Sequence, residues 1–339
     1  MPRQHFRENA VFADVLVSES IIARCAGHAG LLPSTARLPE RRLRIGLALY
    51  GFLSMPFRIV QSKQNSRLKQ LRRALAYPLR DREPSGNLLA GIEGPNLLEE
   101  ALRAGLHIHC VFLAEGAESM LQTLNLPAET ETLLVPSAML RSALTTETPQ
   151  PIAALVEPPD WTWAHFLDGH RRAPSLIPPL ILVLAGLQDP GNLGTILRSA
   201  EAFGADGVLC LPGTVSAWNP KALRASAGSV FRLPLLTASV EDCFLHLRQA
   251  GVKVWTTTVH AAEPADLVNL AGPIALLIGN EGNGVSAELA AKADGALTIP
   301  CPGPVESLNA SVAASVLLYE AACQRSLRSA PLALRGGTA

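Results

Sequence analysis

Three turns in the second half of the chain bring together residue types that chemistry needs. They are Asn192-Leu193-Gly194 followed by Arg198, then Gly279-Asn280-Glu281-Gly282-Asn283-Gly284, then Glu306-Ser307-Leu308-Asn309. A guanidinium, a carboxylate, a hydroxyl and two amides can together orient a polar group, stabilise a developing anion and pass on a proton. Each turn follows a short apolar run that reads as a strand, and each opens a segment that can be helical. Ligands in open α/β sheets collect beyond the carboxyl ends of the strands, so three turns of this kind imply one site.

In the first turn, Pro190-Gly191 reads as a tight bend, and Gly194 permits close approach of a backbone at the helix start. Ile196, Ala200 and Phe203 share the buried side of the following helix, and Arg198 lies off that stripe. Arg198 is therefore available either to the turn region or to an i,i+3 pair with Glu201. The second turn offers G-x-x-G-x-G, which is neither the Rossmann spacing nor a phosphate-binding P-loop. It carries Glu281 where a phosphate cradle would want no acid, so its backbone amides suit a neutral or cationic adenosine compound better than a triphosphate. In the third turn, Ser307 and Asn309 stand at the mouth of a helix whose inward stripe is expected to be Leu308, Val312, Val316 and Tyr319.

The elements that must position these turns alternate. Strands are expected at 180–187, 207–211, 252–257, 274–279 and 296–300, and helices at 195–203, 221–227, 240–250, 286–293 and 307–324. Upstream, 87–93, 108–113, 132–135 and 152–156 read as strands, with helices starting near Asn96 and Ser137. The fold class is α/β, a small α/β domain over 61–157 followed by a parallel-sheet domain over 180–328. Residues 158–179, rich in proline and tryptophan, read as a linker, residues 1–60 as an N-terminal extension and 329–339 as a tail. Met55-Pro56-Phe57-Arg58 resembles an ordinary protein start, so residues 1–54 are expected to be either a poorly ordered extension or the product of an upstream start codon.

Composition narrows the function classes. With 48% apolar and 17% charged residues the chain has material for a sizeable core, and its formal net charge is zero. Affinity for nucleic acid must then come from a local patch. One candidate is residues 61–82, with seven Lys/Arg against one Asp; Leu68, Leu71 and Leu75 at helical spacing make it equally an amphipathic helix with a solvated face. The six cysteines are scattered without metal-ligand spacing, which points to free thiols in a reducing cytoplasm. The apolar run 45–57 is too short to cross a bilayer. His107 and His109 share one strand face, and no third ligand lies close in sequence.

Together the turns resemble the SpoU (TrmH-like) family of RNA ribose methyltransferases, within the SPOUT class of trefoil-knotted enzymes. The match runs through Asn192-x-Gly194-x-x-x-Arg198-x-Ala200, then Ile278-Gly279-Asn280-Glu281-Gly282-x-Gly284, then Ile299-Pro300, Gly303 and Glu306-Ser307-Leu308-Asn309-Ala310-Ser311-Val312-Ala313. Arg224-Ala225-Ser226-Ala227-Gly228 and Phe231-Arg232-Leu233-Pro234 are also similar to the family. The resemblance covers about residues 61–325 and departs where Cys301 replaces a common Met and Pro302 stiffens the loop.

The resemblance implies a deep trefoil knot in the C-terminal domain and a preceding ribosomal-protein-like RNA-binding domain. It implies methyl transfer from S-adenosylmethionine to a ribose 2′-hydroxyl, with no metal and no membrane, in a cytoplasmic homodimer packed through the knot domain. It places Asn192, Arg198, Glu281, Ser307 and Asn309 around the target ribose. Thr257, Thr258, Gly279, Asn280, Gly282, Ile299 and Leu308 would hold the cofactor, and Lys63, Arg67, Lys69, Arg72 and Arg73 would face RNA. A guanidinium stays protonated, so Arg198 reads as an electrostatic clamp, with the proton leaving through Asn309, Ser307, Glu281 or water. Ribosomal RNA of the 23S type is favoured over transfer RNA. A non-catalytic knotted RNA-binding factor is the alternative from another class, and a dinucleotide-dependent oxidoreductase lacks its fingerprint.

Overall fold

The computed structural model describes residues 57–79, 86–167, 178–259 and 262–329. The expectations placed on residues 1–56, on Arg80 and Arg82, on the middle of the linker and on the tail beyond Ser329 lie outside the described residues.

The first sheet has five strands: β1 (Arg58–Ile59), β2 (Ala90–Glu93), β3 (Ile108–Ala114), β4 (Glu131–Val135) and β5 (Ile152–Val156). They are ordered β1-β4-β3-β5-β2; β1, β4 and β3 run parallel, whereas β5 is antiparallel to both β3 and β2. Alternate residues of a strand face opposite sides, and both sides are covered. Cys110, Phe112, Ala153 and Leu155 meet Leu68, Leu71 and Leu75 of α1 (Ser66–Ala76). Val111, Leu113, Ile152 and Ala154 belong to the core that contains Leu97, Leu98 and Ala101 of α2 (Pro95–Arg103). Asn65 caps α1, its side chain accepting from the Leu68 N–H, and Gly105, with φ +75°, follows α2. A short helix, α3 (Ser137–Arg141), follows β4.

β1 corrects the boundary of the expected N-terminal extension. Val60 is buried and its N–H donates to the Leu134 carbonyl, so residues 58–60 belong to the sheet. The linker stretch contains a one-turn helix, α4 (Trp163–Leu167), which buries Phe166.

The second sheet has seven parallel strands. They are β6 (Leu180–Leu184), β7 (Gly207–Cys210), β8 (Leu235–Thr237), β9 (Lys253–Thr257), β10 (Glu263–Pro264), β11 (Ile274–Ile278) and β12 (Gly295–Thr298), in the order β10-β12-β9-β11-β6-β7-β8. β6 and β11 are apolar and buried along their whole length, as strands covered on both faces must be. Ile181, Val183, Ala275 and Leu277 pack with Cys243, Phe244 and Leu247 of α7 (Val240–Gln249). Leu182, Leu184, Leu276 and Ile278 share a core with α5 (Pro190–Ala202), α6 (Pro220–Ser226) and α9 (Ala310–Ser329), and this core is continuous with the α2 side of the first sheet. A single turn, α8 (Ala287–Ala290), links β11 to β12.

Two helix starts differ from expectation. α5 begins at Pro190, because Asp189 caps it and accepts from the Gly191 and Asn192 N–H groups, with proline in the first turn where its missing donor is harmless. α9 begins at Ala310, capped by Asn309. The expected inward stripe of α9 is its outer one: Val312, Val316 and Tyr319 are 47%, 41% and 58% exposed, whereas Ala314, Leu317, Leu318 and Ala321 are buried.

Gly194 sets the spacing of α5 and α6. A Cβ there would lie 2.4 Å from the Ala222 carbonyl oxygen and 2.6 Å from Ala225 Cβ. Gly194→Ala is therefore expected to destabilise the fold by about 1–3 kcal/mol through overpacking against backbone. Gly303→Ala, where a Cβ meets nothing within 4 Å, should leave the denaturation midpoint unchanged. Equal midpoints for the two variants would refute this account of the helix contact.

Candidate active site

Strand order decides which loops become neighbours. β12, β9, β11 and β6 lie side by side and parallel, so the segments leaving their carboxyl ends are adjacent. These are the segments that begin at Ile299, Thr258, Gly279 and Ala185.

The loop after β11 is built around Asn280. Its backbone pairs with Gly284 in both directions, and its Oδ1 accepts from the Gly282 N–H at 2.8 Å. Its Nδ2 donates to the Gly186 carbonyl at 2.8 Å, tying this loop to the one after β6. Gly284 has φ +65°, and a Cβ on Gly279 would sit 2.1 Å from the Gly284 carbonyl carbon. The glycines thus serve the tightness of the turn itself.

Glu281 projects from this turn onto the start of α5. Oε1 accepts from the Asp189 N–H at 3.0 Å and from Asn192 Nδ2 at 3.1 Å, and Oε2 accepts from the Gln188 N–H at 3.1 Å. Partial burial acts to raise its pKa, but the Asn192 side chain and the backbone donors outweigh it and hold the carboxyl below its ordinary value. Asn192 passes the chain on, its Oδ1 accepting from Asn309 Nδ2 at 3.1 Å. Asn309 Oδ1 in turn accepts from the Ser311 N–H at 2.8 Å and from the Ser311 hydroxyl at 2.7 Å at the start of α9. Asp189 carries a similar load on the other side. Lys221 on α6, first, and the Gly191 and Asn192 N–H groups lower its pKa.

Of the five residues expected around the ribose, Glu281, Asn192 and Asn309 form this one polar chain. Arg198 and Ser307 are exposed, and their side chains make no hydrogen bond among the described residues. The alternative pairing of Arg198 with Glu201 does not form, because Arg232 occupies both Glu201 oxygens, at 2.8 and 3.1 Å. Among the expected cofactor residues, Thr257 Oγ1 donates to the Leu277 carbonyl and the Thr258 N–H donates to the Leu297 carbonyl, both closing the sheet end. Gly279 is buried in the turn, and Asn280, Gly282, Ile299 and Leu308 lie at the adjoining loops with at least partial exposure. The segments 279–284 and 299–309 contain no lysine or arginine and two acids, Glu281 and Glu306. That donor set suits an uncharged adenosine bearing a positive sulfonium and does not suit a phosphate.

The basic residues of α1 and of the turn before it divide. Lys63, Lys69 and Arg73 are exposed. Arg67 is held by Glu131 and Gln70, and Arg72 Nη2 donates to the Ser142 hydroxyl, so these two serve the first sheet's own packing. The sequence reading missed three residues that support the site: Lys221, Arg232 and Glu100. Arg232 bridges Glu201 on α5 to Glu100 on α2, at 2.5 Å. The Asp189-Pro190 pair was a legible helix-start signal for the true beginning of α5.

Comparison with known proteins agrees with this architecture. Residues 179–319 match the SpoU rRNA Methylase family and residues 65–154 match the MRM3-like substrate binding domain. The 23S rRNA (guanosine(2553)-2′-O)-methyltransferase RlmP of Bacillus subtilis is 32% identical over 264 residues, covering 77% of this chain and 97% of that protein. The SpoU methyltransferase AviRb of Streptomyces viridochromogenes, solved in complex with AdoMet, superposes with a TM-score of 0.65 at 28% identity, covering 78% of this chain and 99% of that one. A crystal structure of an RNA 2′-O ribose methyltransferase superposes with a TM-score of 0.61 at 33% identity, covering 79% of this chain and 100% of that one. With two adjoining matches that follow the two sheets and a relative aligned over nearly its whole length, the chain belongs to the SpoU rRNA methylase family of RNA 2′-O-methyltransferases.

Proposed function

We propose that the protein methylates a ribose 2′-hydroxyl in ribosomal RNA of the 23S type, acting in the cytoplasm as a homodimer. The observation that carries the reading is the Glu281–Asn192–Asn309 chain, a preorganised polar line across three loops at the carboxyl ends of parallel strands. The choice of ribosomal RNA rests on the RlmP likeness, which extends through both sheets. The cofactor is S-adenosylmethionine, which supplies a methyl group on a sulfonium that is already a good electrophile. Thr257, Thr258, Gly279, Asn280, Gly282, Ile299 and Leu308 are the residues assigned to hold it.

The protein's task is then alignment and charge. Asn192 and Asn309 have their amides fixed by neighbours, so they can orient a hydroxyl without first reorganising. Glu281 is ionised and has its oxygens engaged, which makes it a positioning anion rather than the proton acceptor. Arg198 is the clamp for a phosphate or the developing alkoxide, and the proton leaves through Ser307 or water. Residues 61–157 read RNA through Lys63, Lys69 and Arg73, and residues 180–328 carry the chemistry. The end of α9 docks at the strand entrances, with Arg325 donating to the Pro179, Leu270 and Gly272 carbonyls, and this C-terminal segment is assigned the trefoil knot on the strength of the family match. The outward Val312, Val316 and Tyr319 line a groove of about 320 Å³ with Thr195 and Phe203, an apolar face suited to a second copy.

Methyl transfer from tritiated S-adenosylmethionine into total RNA of a strain lacking the gene is expected to label one large ribosomal RNA. Arg198→Ala should reduce that label by about 10²-fold or more. Label confined to small RNA would move the substrate to transfer RNA, and no label with cofactor bound would favour a non-catalytic RNA-binding factor.

If Arg198 serves the partner's site, mixing Arg198→Ala chains with Asn309→Ala chains restores activity in heterodimers that neither homodimer has. No recovery in isolated heterodimers would mean that each site is built within one chain.

Replacing Lys63, Lys69 and Arg73 together by alanine is expected to lower RNA affinity and to reduce the slope of log K against log salt by about 2. The thermal midpoint should hardly move. Arg67→Ala should instead lower the midpoint, because its partners are inside the domain. An unchanged salt slope for the triple variant would place the RNA face elsewhere.

A further inference from the structure

A cluster at one end of the smaller sheet lies outside the residues assigned to methyl transfer. β3 enters that sheet where β5 leaves it, since the two run antiparallel with Ile108 opposite Val156. His107 and His109 flank this position, and Glu157 is the first residue after β5. The register shifts between Ile108 and Cys110, so the strand bulges at His109; bulges commonly re-aim a side chain. The third ligand that the sequence near the two histidines lacks is supplied by Glu157, 48 residues beyond His109.

The three side chains converge on one point. His109 Nε2 is 2.5 Å and His107 Nδ1 is 3.4 Å from the same oxygen, Glu157 Oε1, and all three ligand atoms lie within 4.8 Å of one another. The imidazole rings stand 70° apart with centroids separated by 4.5 Å, so they meet edge to face and do not stack. Asn87 Nδ2 donates to Glu157 Oε1 at 2.9 Å, and the Glu157 N–H donates to the His107 carbonyl at 3.0 Å. The side chains of His109 and Glu157 are mostly covered, whereas that of His107 is 58% exposed and keeps a way in from solvent.

We propose that His107, His109 and Glu157 bind a divalent first-row transition-metal ion, zinc foremost, with water completing the coordination. Two imidazoles and one carboxylate select ions of this class over magnesium or calcium, which demand oxygen ligands. Bonds of about 2.0–2.2 Å in a tetrahedral shell put neighbouring donors about 3.3 Å apart. The His107–Glu157 separation already fits that spacing, and the His109–Glu157 contact has to open by less than about 1 Å. Asn87 stands behind the carboxylate as the outer-shell partner that such ligands use for orientation. Glu157 leads directly into Pro158-Pro159 and the segment towards the larger sheet. The ion's role is therefore structural: it fastens the ends of β3 and β5 where the chain leaves the smaller sheet, independently of the methyl-transfer reading.

The test uses the full chain without an affinity tag, stripped with a chelator and titrated with zinc ion alone. One equivalent per chain is expected to bind, with a rise in thermal midpoint, and cobalt ion should give the visible absorption of a four-coordinate nitrogen–oxygen site. His107→Ala, which alters a mostly exposed side chain and so spares the fold, should lose both the stoichiometric binding and the midpoint rise. Glu157→Gln keeps an acceptor for Asn87 and should weaken zinc binding at least tenfold. A Cys25→Ser, Cys301→Ser, Cys323→Ser chain should bind as the parent does, excluding these thiols as the source. The proposal is overturned if the parent binds no stoichiometric zinc, the cluster then being an ion pair only, or if His107→Ala binds zinc as the parent does.

Discussion

The site depends on one carboxylate with nowhere to go. Glu281 leaves the sheet at β11 and its oxygens are taken by two backbone N–H groups and one side-chain amide of the segment after β6. Neither loop could hold this position alone. The β11 turn projects an anion that needs donors, and the segment leading into α5 offers the Gln188 and Asp189 N–H groups and the Asn192 amide. Bringing them together satisfies both, and the held-down pKa of Glu281 is the same fact expressed as protonation. Because the carboxylate fixes Asn192, and Asn192 fixes Asn309, the start of α9 inherits its position from a residue on a different strand.

That arrangement requires α5 to be immobile, and its other contacts explain how it is held. Gly194 lets α6 come within backbone distance. Ala227 at φ +49° and Gly228 at φ +83° then turn the chain sharply after α6. A Cβ on Gly228 would lie 2.7 Å from Glu100 Cβ, so the turn is pressed against α2 of the first sheet. Arg232 closes the contact by binding Glu201 and Glu100 together, and Glu201 first, then Glu100, raise its pKa against the opposing effect of burial. The polar chain and the α2 side of the smaller sheet are thus linked through one helix, by packing on one side and by charge on the other. The family-like segment from Arg224 to Pro234 is where this linkage is made.

Much of this was legible beforehand, for physical reasons that vary by element. β5, β6 and β11 were plain because a buried parallel or central strand must be apolar throughout, and Ile152–Val156 was read to the residue. β1, β8 and β10 have two or three residues each and no period to detect. The convergence of three loops followed from strand polarity. The partners of Glu281 did not, because two of the three are backbone N–H groups that leave no mark in a sequence. The same holds for Glu157 and the two histidines: a cross-strand neighbour 48 residues away is decided by register. Arg67 and Arg72 looked like Lys63 and Lys69 in the sequence, and only the position of Glu131 and Ser142 separates a packing cation from a free one.

The misreading of α9 has the most to teach. Its sequence has two apolar stripes, and Leu308, Val312, Val316 and Tyr319 were expected to be the inner one. The structure buries Ser311, Ala314, Leu317, Leu318 and Ala321 instead. Where α9 meets α5 the residues are small, the Ser199 and Ser315 hydroxyls lying 2.7 Å apart; a valine at either position would push the helices apart, and Leu317 and Leu318 fill the rest of the buried face. The displaced large residues then face outward beside Phe203, whose ring meets Tyr319 edge-on at 5.8 Å. A helix apolar on both sides is normally covered on both. One side of α9 is covered by its own chain, and among the described residues the Val312, Val316 and Tyr319 side is left exposed.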